Sequence, residues 1–266
     1  MKNLVKKILV HLNIYLPVKY SVFYRIYVTL FRKDIIAAEK KEVAFYKSFL
    51  DKCDLILDIG AYDGHKTSAF LHFAKKMICC EPDSFNYSIL RTRFRFNNKV
   101  IVKQVALSNT NGFENFNIHQ TGSAFNTLSE KWKEILKKDG SKIYGEQFTF
   151  PDSAITKVPT ITLNELIAEY GTPDFIKIDV EGYEKKVLQG LSKKIKCLSF
   201  EANLPEFFNE TAECIGLLNN VDQHALFNYS IDEHLQLSAF IPGNDLLNIF
   251  SSDTKMSCEI ICKMID

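Results

Sequence analysis

The chain has 266 residues, a net charge of +1, 46% hydrophobic residues and 24% charged ones; that length supports a full core in one large or two small domains, and the composition excludes a disordered or fibrous chain. So small a net charge gives no electrostatic basis for nucleic-acid binding. The seven cysteines, odd in number and set in apolar runs such as MICC at 77–80, read as buried free thiols in a reducing compartment, not as a disulfide framework or a zinc site.

Residues 1–33 hold the basic groups Lys2, Lys6, Lys7, Lys19, Arg25, Arg32 and Lys33 and no acid. Leu4, Ile8, Leu12 and Tyr15 fall on one helical face. Lysines interrupt the apolar runs too often for a membrane span or a signal-peptide core. Two readings stay open: a helical cap packed on the domain, or a basic amphipathic segment in peripheral contact with an anionic membrane. Helical patterning covers about 2–32 and 35–51, so 1–50 reads as an N-terminal helical segment and 51–266 as the main domain.

An apolar strand, LILDI (55–59), opens that domain and leads through a glycine-bounded turn to a helix from about His65 to Lys75. A strand at 76–81, a helix from about Ser84 to Asn97, a strand at 100–107 and an added strand at 113–118 follow. Residues 119–158 are irregular apart from a helix at 129–138. Thr162 caps a helix to Tyr170, with Glu165 as its capping-box partner, and Gly171 and Pro173 end it. Then come a strand (174–179), a helix (Tyr183–Leu191), a strand (196–202), a helix (209–220) and strands at 225–231 and 256–264. The alternation predicts a mostly parallel sheet with helices on both faces. The last run has no helix after it and suits an antiparallel strand slotted into that sheet. Ligands bind such sheets at the carboxyl ends of the strands, near the switch point.

Four stretches carry chemistry at those ends. In LILDIGAYDG (55–64), Gly60 and Gly64 bound a tight turn that lacks the middle glycine of a dinucleotide loop. Asp58 and Asp63 would repel a pyrophosphate but suit a cationic ligand, which favours S-adenosylmethionine over a nicotinamide dinucleotide. Glu81 ends the next strand, where an acid can accept both ribose hydroxyls, and Pro82 or Phe85 can cover the adenine. Ala106 and Leu107 can supply an adenine wall. In DFIKIDVEGYEKKVL (174–188), Asp179 and Glu181 sit at the end of the fourth strand, beside Glu201 and Asn203 on the fifth. These can act as a base, as hydrogen-bond acceptors for a substrate hydroxyl, or as oxygen ligands for a divalent cation; a metal is not expected.

The stretches DIGAYDG (58–64), EPDSFNYSIL (81–90), VALSNTNG (105–112), TITLNEL (160–166) and DFIKIDVEGYEKKVLQG (174–190) resemble, in order and spacing, the FkbM methyltransferase family over roughly 53–203. The resemblance implies an α/β, Rossmann-like class I methyltransferase: a mostly parallel seven-stranded sheet with helices on both faces, preceded here by the N-terminal helices. It implies S-adenosylmethionine as cofactor and a hydroxyl of a sugar, glycan or secondary metabolite as acceptor. Asp58, Gly60, Ala61 and Gly64, with Tyr62 and Asp63 between them, would form the cofactor loop. Glu81 would take the ribose, Val105 and Ala106 would flank adenine, and Asp179 and Glu181 would sit at the reaction site, with Glu201 beside them from the reading of the strand ends. Tyr62 departs from the family's usual Gly-Ala-Asn and removes a side-chain amide. TGSAFNTLSEKW (121–132) resembles an acceptor-side insertion, in which Trp132 can grip a sugar. A cytoplasmic or membrane-peripheral homo-oligomer is compatible with all of this. The rivals are a non-catalytic cofactor-binding accessory protein of this fold and a nicotinamide-dependent oxidoreductase. A nucleic-acid methyltransferase would need an Asn/Asp-Pro-Pro-aromatic motif, which the sequence lacks.

Overall fold

The computed structural model describes residues 15–250 and 255–264; Lys2, Lys6, Lys7 and the face formed by Leu4, Ile8 and Leu12 lie outside the described residues. The apolar run Cys53–Ile59 forms β1, followed by β2 (Ala74–Cys80) and β3 (Val100–Lys103). Three strands, β4 (Ala106–Leu107), β5 (Gly112–Phe116) and β6 (Thr156–Ile161), build a small separate sheet in the order β4-β6-β5. The main sheet continues with β7 (Phe175–Ile178), β8 (Cys197–Leu204), β9 (Leu226–Ile231), β10 (His234–Leu235), β11 (Ile241–Pro242) and β12 (Met256–Lys263). Its order is β10-β9-β12-β8-β7-β1-β2-β3, with β11 on β9.

Strands β1, β2, β3, β7 and β8 are parallel, and β12 runs antiparallel between β8 and β9. The C-terminal run thus takes the slotted position expected of a strand with no helix after it. The chain leaves β1 in one direction through β2 and β3 and returns on its other side at β7. The crevice at the carboxyl ends of β1 and β7 is therefore the switch point, where such sheets place ligands. The main sheet has nine strands instead of seven because β10 and β11, two residues each, add to β9.

Apolar residues on both faces of β1 explain the two core layers. Leu55, Leu57 and Ile59 join Ile176, Ile178, Leu163, Leu188 and Phe200 on one side. Ile56 joins Phe70, Phe175, Phe45 and Tyr46 on the other. Phe45 and Tyr46 come from the helix Lys33–Lys47, which is thereby part of the second layer. The Tyr46 ring lies 4.6 Å from that of Phe70 and 6.1 Å from that of Phe175. All seven cysteines are free and buried.

Several elements depart from the sequence reading. The run 100–107 breaks after Lys103, because Ala106 and Leu107 pair with Thr160 and Ile161 in the small sheet instead. Strand β6 falls in chain expected to be irregular. Pro159 sits in the middle of it, where a proline argues against a central strand, and it hid the signal. The helix at 129–138 runs on, as Glu130–Tyr144, to a left-handed cap at Gly145. The helix expected to reach Lys75 stops at Phe70, since Ala74 already belongs to β2. A helix at Gly243–Ile249 had no clear periodic signal.

Phe175 is fully buried where helix, sheet and aromatic cluster meet. Phe175→Ala should lower the unfolding free energy by about 3–5 kcal/mol, read as a shift in the urea midpoint at unchanged m-value.

Candidate active site

The turn after β1 is fixed by a close backbone approach. Gly60 has φ +78°, and a Cβ there would lie 1.8 Å from the Asp179 carbonyl oxygen. The Gly60 and Ala61 amides donate to the Cys80 carbonyl at 2.9 and 3.1 Å. Tyr62 takes a left-handed conformation at φ 49°, which lets its amide donate to Glu81 Oε2 at 2.9 Å. The Asp83 amide donates to Glu81 Oε1 at 2.9 Å, so both carboxylate oxygens of this buried acid are oriented by backbone.

A cleft with a cavity volume of about 150 Å³ opens beside this turn. Of the residues singled out from sequence, Gly60, Tyr62, Glu81, Pro82, Val105, Ala106, Leu107, Asp179 and Glu181 line it. Asp58, Ala61, Asp63, Gly64 and Glu201 do not, Glu201 lining a smaller neighbouring pocket with Asn203 and Phe207. Asp58 is buried beneath the turn, where its Oδ2 accepts from the Thr67 hydroxyl. Ala61 is packed in the core. Asp63 accepts from the His65 amide at 3.0 Å and pairs with Arg93, facing a second cavity. Gly64 takes φ +79°, where a Cβ would meet the Phe94 and Leu90 side chains.

The lining also includes Asn86, Phe116, Ser123, Ala124, Asn126 and Leu128, which sequence reasoning missed as cleft residues. The Oδ1 of Asn86 is buried with no hydrogen-bond partner. Its place on the first turn after Glu81, three residues beyond the Asp83 N-cap, was the available signal. The segment 121–132, expected on the acceptor side, contributes Ser123, Ala124, Asn126 and Leu128 to this wall. It is tied down by the Asn126 amide nitrogen donating to Asp83 Oδ2 at 3.0 Å and by the Thr127 hydroxyl donating to the Glu181 carbonyl at 2.7 Å.

At the end of β7 the acids converge. One carboxylate oxygen each from Asp179, Glu181 and Glu201 lies within 4.8 Å of the others, the arrangement among the described residues that could hold a metal ion. Glu181 reaches it through a left-handed backbone at φ 54°, and Trp132 Nε1 donates to its Oε2 at 2.9 Å. Asn203 donates to Glu201 at 3.2 Å. The Val180 and Gly182 amides donate to Glu184 Oε1 at 3.1 and 3.3 Å, which closes the turn. Beneath the trio lies Lys177, 3% exposed, with Nζ 3.2 Å from Asp179 Oδ2 and 4.0 Å from Glu259 Oε1. It shares a row across the sheet with Asp58 and Ser199.

Burial and mutual repulsion set the charge of this site. Burial pushes the Glu81 carboxyl up to about 8, against the pull of the two backbone amides. Burial raises Asp58 to about 6, opposed by Thr67 and Lys177. Glu201 rises to about 8, through burial and then the charges of Asp179 and Glu184. Glu184 rises to about 7, mainly through burial. Burial, then Glu201 and Asp179, push Glu181 well above the usual carboxylate range. Burial alone would depress the Lys177 ammonium, but Asp179, Glu259 and Glu201 around it reverse that and raise it.

Residues 58–237 match the family model described as Methyltransferase FkbM domain. Among solved structures, the chain is similar to a precorrin-6y C5,15-methyltransferase from Geobacter metallireducens GS-15, at 8% identity over 87% of this chain and 86% of that one, with a TM-score of 0.43. It is similar also to an rRNA methylase from Streptococcus thermophilus, at 10% identity, 84% and 94% coverage and a TM-score of 0.40. A spermidine synthase from Thermotoga maritima follows at 11% identity, 80% and 53% coverage and a TM-score of 0.35. Curated protein sequences give no match.

Raised carboxyls mean that the folded chain binds more protons than the unfolded one between the ordinary carboxylate range, about pH 4, and the folded values of about 6 to 8 for Asp58, Glu184, Glu81 and Glu201. Their contribution to stability is full below that window and is lost as pH rises through it. The ligand-free protein should therefore melt several degrees lower at pH 8.5 than at pH 6. Glu81→Gln should flatten that slope in a pH series of thermal scans.

Proposed function

The chain belongs to the FkbM methyltransferase family, and from that premise we propose that this S-adenosylmethionine-dependent methyltransferase methylates a hydroxyl of a sugar, glycan or related polyhydroxylated metabolite. One observation carries the proposal: three carboxylates converge at the edge of a cleft whose described lining residues include no lysine or arginine. A dinucleotide pyrophosphate would find no cation there, which disfavours the oxidoreductase reading. A cationic, phosphate-free cofactor would find Glu81, Asp179 and Glu181.

The residues fit S-adenosylmethionine on a second count, the buried Asn86 Oδ1 that lacks a donor in the cleft wall. Glu81, pre-oriented by the Tyr62 and Asp83 amides, would accept the ribose hydroxyls. Pro82, Val105, Ala106, Leu107 and Phe116 form the apolar walls an adenine requires, and Asn86 would accept a hydrogen bond from the cofactor. When bound, the cofactor would supply an electrophilic methyl on its sulfonium: the acceptor oxygen would bond to that carbon as the carbon–sulfur bond breaks, and S-adenosylhomocysteine would leave.

The chain's own part is to position the acceptor and take its proton. Asp179 lines the cleft and is paired with Lys177 at 3.2 Å; it is the proposed proton acceptor. Glu181 and Glu201, whose carboxyls are pushed up by burial and neighbouring acids, would hydrogen-bond neighbouring hydroxyls. Trp132, expected to grip a sugar, is instead buried against the Phe207 ring at 5.7 Å and braces Glu181 through its indole N–H. Positioning alone can supply about 7–11 kcal/mol of the barrier reduction, and proton removal about 10²–10⁴-fold in rate.

Titration calorimetry should give micromolar affinity for S-adenosylhomocysteine and none for NAD. Glu81→Ala should weaken that affinity about 10–100-fold, the loss of two hydrogen bonds to the ribose. Asp179→Asn should weaken cofactor binding only modestly and lose about 10²–10⁴-fold in turnover, followed with labelled methyl donor across a panel of glycan acceptors. Full turnover in Asp179→Asn would remove it as the base. A protein that binds the cofactor but methylates nothing in the panel would favour the accessory-protein reading.

A further inference from the structure

The helix Val22–Phe31 carries an apolar stripe that the fold does not cover. Ser21 caps it, its hydroxyl accepting from the Tyr24 amide. Val28 is buried against the domain, and Tyr24 lines the cavity shared with Asp63, His65 and Arg93. Phe23, Ile26, Tyr27, Leu30 and Phe31 face solvent instead, at 84, 51, 38, 61 and 70% exposure. Their spacing of three and four residues places them on one arc of roughly 140° at the helical period. The Tyr27 and Phe31 rings lie 5.5 Å apart along it.

Charge selects the occupant. The first 33 residues carry seven basic groups and no acid, against a net charge of +1 for the whole chain, so the rest of the molecule is net acidic. An aromatic stripe on a helix within a purely basic segment is the composition of an element that lies in the interface of an anionic bilayer. It lies on the membrane and does not span it: ten residues extend only about 15 Å, against about 30 Å of hydrocarbon, and no described helix is long and apolar enough to cross.

We propose that this face docks the enzyme on an anionic lipid surface, with Phe23, Ile26, Tyr27, Leu30 and Phe31 entering the headgroup region and the basic charge of the sequence over 1–33 drawing the segment to lipid phosphates. The helix packs on Lys33–Lys47, whose Phe45 and Tyr46 belong to the domain core, so docking fixes how the catalytic domain sits over the membrane. The inference is independent of the acceptor reading.

The test is co-sedimentation of the full chain with vesicles of phosphatidylcholine alone and of phosphatidylcholine mixed with phosphatidylglycerol, at low and high salt. The expected result is binding to the mixed vesicles that falls steeply with salt. It should fall at least tenfold in a Phe23→Ser, Leu30→Ser, Phe31→Ser variant that keeps wild-type S-adenosylhomocysteine affinity and melting temperature. No binding to the mixed vesicles, or equal binding by the variant, overturns the proposal. A wild-type dimer that the variant dissolves, without vesicle binding, would assign the stripe to a second copy and overturn it. A variant that melts lower, again without vesicle binding by the wild type, would assign the stripe to an intramolecular contact and overturn it too.

Discussion

The active site depends on how closely two strand ends approach. The carbonyl of Asp179 occupies the space a side chain at position 60 would need, and the Asp179 amide in turn donates to the Ile59 carbonyl at 2.9 Å. That contact lays the turn after β1 against the turn after β7. The first carries the backbone that orients Glu81, and the second carries the three acids. The two halves of the proposed chemistry, cofactor and acceptor, are thus joined by a glycine and a carbonyl.

Holding so many carboxylates together has an electrostatic cost that the fold offsets locally. Lys177 sits beneath the cluster, within 3.2 Å of Asp179 and 4.0 Å of Glu259, and the Tyr46 hydroxyl donates toward Glu259 at 3.4 Å. The remaining repulsion is relieved by raised proton affinity at Glu181 and Glu201 and by the backbone amides that bind Glu184. Carboxyls of unequal proton affinity in one site are how acid and base roles are divided among like groups.

The remaining wall of the cleft comes from outside the parallel sheet. The small β4-β6-β5 sheet and the segment up to the helix Glu130–Tyr144 bring Phe116, Ser123, Asn126 and Leu128 over the cleft. Trp132 then links that wall to Glu181. Loops on a rigid scaffold are where binding residues concentrate.

Local patterning determined most of the architecture. Apolar strands and periodic helices are short-range signals, so the order of elements, the antiparallel last strand and the Thr162 cap, whose hydroxyl accepts from the Glu165 amide at 3.1 Å, were legible in the sequence. So was the family, because the loop and strand-end acids are contiguous motifs. Only tertiary structure decided which acids share the cleft: Asp58 and Asp63 read as alike in sequence, yet one is buried under Thr67 and the other turns to Arg93. Pairing across the chain likewise made β6 a strand despite Pro159 and put the unpartnered Asn86 oxygen in the wall. A sequence gives the direction of a side chain relative to its own strand or helix, but what that side chain meets is set by elements as far as 213 residues away along the chain, as for Tyr46 and Glu259.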